Sequence, residues 1–155
     1  MTSPPTQSAA VYLTRRGYFI HAKVRTDAGI WIASLPAYLV PLDAVADVLG
    51  RSVVDALRGS GGIVASPQRG QFRAKTSAVL SVAGVSSWDT LQREAALCTL
   101  WAERTALAVE PTRNGGRSGD ARGYCPLEEK RQVISSDASP TLIANAVIES
   151  LGKCQ

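Results

Sequence analysis

Between residues 18 and 40, apolar residues occur as three short runs separated by turn-forming residues. The runs are residues 18–24, 30–32 and 38–40. The tetrapeptide Thr-Asp-Ala-Gly at 26–29 separates the first two runs, and Leu35-Pro36 separates the second from the third. Short runs rich in β-branched and aromatic residues and bounded by Asp, Gly or Pro are typical of strands. The pattern predicts an antiparallel hairpin followed by a third extended segment.

Two other segments repeat apolar residues at the three- and four-residue spacing of an amphipathic helix. The first follows Asp43, a predicted N-cap, and ends at the glycines of 59–62. Gly50 inside it indicates close packing, which we expect against the sheet. The second begins with Ser139 as N-cap and Pro140 at the first helical position. Their apolar stripes are Val45, Val48, Leu49, Val53, Ala56 and Leu57, and Leu142, Ile143, Ala146, Val147, Ser150 and Leu151.

The region between these helices predicts a loop, two short helical stretches and three strands. Residues 60–76 are the least structured part, because glycine, proline and basic side chains dominate there. Residues 78–83 form a turn of helix, and Ser86 or Ser87 caps a further helix that ends near residue 95. The predicted strands are 97–103, 106–111 and 129–134, with a glycine-rich loop at 112–123.

Together these elements predict one α+β domain over residues 10–155, preceded by a disordered leader at residues 1–9. We expect an antiparallel β-sheet of about five or six strands, with the helices packed on one face. The predicted core consists of Ile20, Ile32, Leu49, Val53, Leu57, Leu142, Ile143, Val147 and Leu151.

Composition and charge narrow the class of protein. The chain has 155 residues, 45% of them apolar, which suffices for a core without disulfides or metal. It has no apolar run of membrane-spanning length and no secretion signal, so we expect a cytoplasmic protein without a membrane partner. The net charge of +4 is uneven, because residues 1–77 carry nine Lys/Arg and four Asp. A basic half can attract nucleic acid or an acidic partner, but no motif that reads DNA or RNA is present.

The chain offers few residues for catalysis or metal binding. His21 is the only histidine, and Cys98, Cys125 and Cys154 are widely spaced without a CxxC pair, so no zinc site can be assembled. His21 lies in a predicted strand with no identifiable nucleophile or orienting acid, and we expect it to be a packing residue. The glycine-rich stretches lack the phosphate-loop and dinucleotide patterns. We therefore predict no cofactor, no metal and no enzymatic activity.

Carboxylate pairs are the remaining candidates for acid–base chemistry. Glu103 and Glu110 could approach each other across a hairpin that turns at Arg104-Thr105, although a solvated pair is the simpler interpretation. Glu128 and Glu129 are adjacent in a predicted strand, where they would point to opposite faces and could not share a substrate.

Four local sequences, in this order, resemble a known family. They are GYFIHAK (17–23), GIWIA (29–33), AGVSSWDTL (83–91) and VEPTRN (109–114), with a capped helix after each half. Over about residues 12–152 the chain thus resembles the bacterial immunity proteins of contact-dependent growth inhibition (CDI) systems. The resemblance implies a small cytoplasmic protein that binds the toxic C-terminal domain of a large secreted effector. Binding would protect the producing bacterium and its siblings, and the family provides no catalytic residues.

An interface can be proposed within this resemblance. Plugging a nuclease usually requires acidic side chains that mimic phosphate, and the acidic residues are concentrated after Gly84. The candidate contacts are Glu103, Glu110, Glu128 and Glu129. Alternatively, the basic first half and its loop at 60–76 face an acidic toxin surface. Two other functions stay open: a nucleic-acid-binding or regulatory module, and a small enzyme that uses carboxylates.

Overall fold

The structure is a computed structural model that describes residues 5–116, 118–120 and 122–155. The strands in this part of the chain are β1 (Gln7–Thr14), β2 (Gly17–Thr26), β3 (Trp31–Val40), β4 (Ile63–Val64), β5 (Ala96–Ala102), β6 (Ala106–Asn114), β7 (Tyr124–Pro126) and β8 (Gln132–Ser135). The helices are α1 (Ala46–Arg58), α2 (Arg69–Ala83), α3 (Trp88–Glu94) and α4 (Pro140–Gly152), and Glu128–Lys130 forms a 3-10 helix.

The strands form a single eight-stranded sheet in the order β3-β2-β1-β5-β6-β7, with β8 beside β6 and β4 beside β2. The pairings are antiparallel apart from that of β4 with β2. Strand β1 lies in the centre and joins the β2–β3 hairpin to the β5–β6 hairpin. The predicted α+β fold with an antiparallel sheet is confirmed. The sheet exceeds the expected strand number because β1, β4 and β7 are not among the predicted strands.

Helices α1 and α4 cover the first face of the sheet. Alternate residues of the strands point into their apolar cluster, since side chains on a strand face opposite sides in turn. Buried members include Val11, Ile20, Leu49, Val53, Leu100, Val109, Ile143 and Val147. The two helices meet at Gly50, where a Cβ would lie 1.8 Å from the backbone oxygen of Pro140. The close packing at Gly50 is therefore against α4 and not against the sheet.

Helices α2 and α3 pack on the opposite face, so the helices lie on both faces and not on one as predicted. The second cluster contains Tyr12, Phe19, Val79, Leu80, Leu91 and Leu97. Helix α2 begins at Arg69, inside the segment predicted as unstructured, because Gln68 and Gln71 form a capping box there. The first half of α2 is exposed, and its buried residues begin at Thr76. A helix that buries only one end has a weak apolar period, which explains the wrong prediction.

Two boundaries near the start of the chain differ from the prediction. Strand β1 begins at Gln7, and Ser8 and Ala9 are completely buried, so the predicted leader at 1–9 is too long. Residues 1–4 lie outside the described residues, and for them disorder stays a prediction. Strand β3 continues through Leu35-Pro36, which forms a bulge opposite His21 and Ala22.

Further along the chain, the helix caps are partly confirmed. The side chains of Ser87 and Ser139 accept hydrogen bonds from the backbone N–H groups of Thr90 and Leu142, as predicted for N-caps. Helix α1 instead begins after Val45, and Asp43 is not its cap. The strands predicted at 97–103 and 106–111 correspond to β5 and β6, and β6 extends to Asn114 into the predicted loop. Residues 117 and 121 of that loop lie outside the described residues.

The predicted core is largely correct. Seven of its nine members are buried, whereas Ile32 is half-buried and Leu142 is 50% exposed. The last predicted strand, 129–134, is shorter: β8 spans Gln132–Ser135, and the 3-10 helix occupies the residues before it.

Candidate partner-binding site

A cluster of aromatic and charged side chains lies on the second face, outside the apolar cluster under α2 and α3. The register between neighbouring strands explains how this cluster forms. Ser8 of β1 is opposite Lys23 of β2 on one side and Trp101 of β5 on the other, so these side chains share one row and one face. Trp31 extends the cluster from β3, and Glu110 from β6. We call Lys23, Trp31, Trp101 and Glu110 the tryptophan surface.

The two indole rings fix the centre of the tryptophan surface. Their centroids are 5.6 Å apart with an interplanar angle of 79°, an edge-to-face arrangement. The Nζ atom of Lys23 lies 4.7 Å from the centroid of the Trp101 ring. Edge-to-face aromatic pairs and cation–π contacts each contribute about 1 kcal/mol, so these half-buried side chains are held in place before any partner arrives.

Charges are partly desolvated in this cluster. Burial lowers the pKa of the Lys23 ammonium to about 8, and the Glu110 carboxylate opposes that change. Glu110 is only 7% exposed, and burial raises the pKa of its carboxyl; Arg131 opposes the rise and Glu128 adds to it. The Trp101 indole N–H donates a hydrogen bond to Glu110. Glu110 therefore holds the Trp101 indole through this hydrogen bond and electrostatically favours the charged form of Lys23.

The predicted acidic residues do not form one cluster. Glu128 lies close enough to Glu110 to affect its pKa, and both Glu128 and Glu129 are exposed on the 3-10 helix. Glu103 lies at the β5–β6 turn, where its N–H donates to the Ala106 carbonyl. The hairpin places Thr99 opposite Glu110, so the approach of Glu103 to Glu110 considered from the sequence does not occur.

The sequence analysis missed Lys23, Trp31 and Trp101 as a unit. Alternation along β2 puts Lys23 on the same face as His21, and this signal is present in the sequence. The proximity of Lys23 to Trp101 depends on the insertion of β1 between β2 and β5, which no local pattern indicates.

His21 is a packing residue, as the sequence predicted. Its ring centroid lies 5.6 to 5.8 Å from those of Phe19, Trp88 and Tyr12. Its Nδ1–H donates to the Ala22 carbonyl at 2.8 Å, and its Nε2 has no hydrogen-bond partner among the described residues. Burial lowers the pKa of this imidazole to about 4. The ring is therefore neutral near pH 7 and packs among three aromatic side chains.

Other chemistry is sparse in the described part of the chain. Residues 5–116, 118–120 and 122–155 contain no group of three or more His, Cys, Asp or Glu that could hold a metal ion. Cys98 is fully buried, and burial raises the pKa of its thiol. None of the described helices combines the length and apolar character that crossing a bilayer requires.

Fold and cluster together describe a small α+β protein with a preformed, aromatic-centred surface. A family model described as "CDI immunity protein" matches residues 7–154, and the chain belongs to this family. A comparison with curated protein sequences gives no match.

Two solved structures share the fold. The first is a protein of unknown function from Neisseria meningitidis, with a TM-score of 0.75, 18% identity and coverage of 100% of both chains. The second is a chain of a CdiA-CT/CdiI toxin and immunity complex from Yersinia pseudotuberculosis. Its TM-score is 0.73 at 16% identity, and the match covers 97% of this chain and 98% of that one. At such low identity these likenesses establish the fold.

Proposed function

We propose that this immunity protein binds the C-terminal toxin domain of its cognate CDI effector and neutralises it in the cytoplasm. The membership of residues 7–154 in the CDI immunity family carries the proposal. The likeness to a chain of a toxin and immunity complex supports it. Neutralisation would follow from occupying the toxin's active site or an adjacent surface, with no reaction catalysed by the immunity protein.

The structure supports a binding mechanism of this kind because the candidate site lies on a sheet. Strand positions are fixed by the hydrogen bonds of their neighbours, so little conformational entropy is lost when a partner docks. The central side chains are further held by the contacts among Trp31, Trp101 and Lys23. Immunity must act before a few toxin molecules cause damage, so we expect a nanomolar Kd or tighter, about −12 kcal/mol.

The acidic contacts predicted from the sequence belong to this proposal. Glu128 and Glu129 are exposed and free to meet basic toxin side chains, and Glu103 is half-buried at the β5–β6 turn. Glu110 would act through its hydrogen bond from Trp101 and its electrostatic interaction with Lys23, because little of it reaches solvent.

A second surface offers an alternative. The exposed half of α2 carries Arg69 and Arg73, the half-buried Lys75 follows, and no acidic residue lies between Arg69 and Ala83. This basic ridge could face an acidic toxin surface, or it could bind nucleic acid as a regulatory module would. A salt-sensitive mobility shift with DNA or RNA would favour the nucleic-acid function.

The test is co-expression with the toxin domain encoded immediately upstream, followed by co-purification and a growth assay. We expect a one-to-one complex and protection. Reversing charge at Glu128 and Glu129 together should weaken binding more than reversing Arg51 and Arg58 of α1, which serve as the matched control. A folded protein that neither binds the toxin nor protects the cell would contradict the function. Equal effects of the two reversals would reject only the acidic contacts.

A further inference from the structure

A small pocket adjoins the tryptophan surface at the end of β2. Pro5, Thr6, Arg25, Trp31, Gly62 and Ile63 line it, and its volume is about 240 Å³. Arg25 is opposite Trp31 of β3 on one side and Ile63 of β4 on the other, so one row of three strands forms its floor. Trp31 also contacts Trp101, which makes the pocket continuous with the tryptophan surface.

The walls of this pocket are unusually apolar for an exposed site. Ile63 is 61% exposed. Single exposed apolar residues are common, but Ile63 lines the pocket together with the half-buried Trp31, which in turn contacts Trp101. Contiguous apolar surface of this kind marks an interaction site, and tryptophan is enriched among the residues that dominate binding energy.

Positive charge borders the same pocket. Lys23 and Arg25 alternate along β2 and therefore point to the same face. Arg25 forms no ion pair with any carboxylate of the described residues, and Asp27, the next acidic residue along the chain, is hydrogen-bonded to Ser66. Among the residues that the structure describes, Glu110 is the carboxylate that offsets the charge of Lys23. An occupant that combines an apolar side chain with a carboxylate would complement this arrangement.

We infer that the pocket receives one apolar side chain of the toxin domain, and that a neighbouring toxin carboxylate pairs with Arg25 and Lys23. This inference rests on the proposed function and adds the chemistry of the toxin segment that is recognised. The apolar side chain fits between Ile63 and Trp31, whereas the carboxylate restores the solvation that the Lys23 ammonium loses by burial. The charge pair fixes the orientation of the segment, and the apolar contact supplies most of the affinity.

The test measures the affinity of the purified toxin domain for full-length variants. Ile63→Asp and Arg25→Glu should each weaken binding by a factor on the order of 30 or more, as expected for central interface positions. Arg25→Glu should also flatten the dependence of the association rate on NaCl concentration. The matched controls, Leu142→Asp and Arg58→Glu, make the same changes at exposed residues on the helices of the first face and should stay within about twofold of wild type.

Stability is checked by thermal unfolding, and Ile63→Ala and Arg25→Gln provide milder changes if either first variant unfolds. These milder variants should show intermediate losses of affinity. Failure of the wild-type protein to bind the toxin would overturn the proposed function itself. If the wild type binds and all four pocket variants bind equally well, the function stands and the inferred pocket is wrong.

Discussion

On the face that α1 and α4 cover, buried strand residues such as Val11, Ile20 and Leu100 form an apolar cluster with the two helices. On the opposite face, buried strand positions include His21, Thr99 and Glu110, and two tryptophans are left half-buried. Burying apolar surface stabilises a fold, whereas burying ionisable groups costs free energy unless they are paired. The first face therefore supplies stability, and the second face carries the polar and aromatic groups that a binding surface requires.

Among the tests of this comparison, the largest loss of stability should come from a substitution of Gly50 at the α1–α4 contact. In Gly50→Ala the new Cβ would collide with the Pro140 backbone oxygen, which lies 1.8 Å from its position. We expect a loss of roughly 3 kcal/mol or more in urea unfolding, at the upper end for overpacked sites. Gly70→Ala in α2 is the control, because nothing lies within 4 Å of its Cβ position. That variant should be neutral or slightly stabilising, and equal losses at both sites would contradict the close contact.

A cavity in the apolar cluster of the first face should cause a smaller loss of stability. Leu57 is 7% exposed in the α1–α4 cluster, so Leu57→Ala should lower the free energy of unfolding by about 3 kcal/mol. Leu142→Ala on α4 removes the same atoms from a residue that is 50% exposed and should cost less than about 0.5 kcal/mol. Similar midpoints for both variants would show that the helix faces are wrongly assigned.

The second face should respond to acid through His21. Its pKa falls from 6.5 to about 4 on folding, so the unfolded state binds the proton more readily. Stability should be complete above pH 6.5 and decrease by up to about 3 kcal/mol as the pH falls towards 4. In His21→Leu this part of the pH dependence should disappear, while toxin binding at pH 7 is retained. An unchanged slope in the variant would assign the acid sensitivity to other groups.

The smallest effect concerns the electrostatics of the tryptophan surface. Because Glu110 favours the charged form of Lys23, Glu110→Gln should move the pKa of Lys23 below about 8. The shift can be followed by NMR titration of the Lys23 side chain. Glu103→Gln, at the β5–β6 turn, is the control and should leave that titration unchanged. No shift in Glu110→Gln would mean that the two groups do not interact.

Local signals in the sequence were enough to predict the antiparallel strands and the caps at Ser87 and Ser139, because each depends on a few neighbouring residues. Helix α2 was missed because its exposed half gives no apolar period. The tryptophan surface could not be predicted, since it requires the order of β2, β1 and β5 in the sheet. Among the acidic candidates, Glu128 is exposed and Glu110 is buried. Burial of a side chain depends on the tertiary fold, so the local sequence could not distinguish these two residues.

The central position of β1 also determines when the fold can form. The hairpins β2–β3 and β5–β6 consist of contacts between near neighbours, whereas Thr6 and Ala102 are hydrogen-bonded although 96 positions separate them. Loop-closure entropy makes such pairings late and slow events in folding. Lys23 and Trp101 meet only across β1, so the tryptophan surface assembles in the same late step. A nascent chain that has not yet released β5 from the ribosome would therefore give no protection.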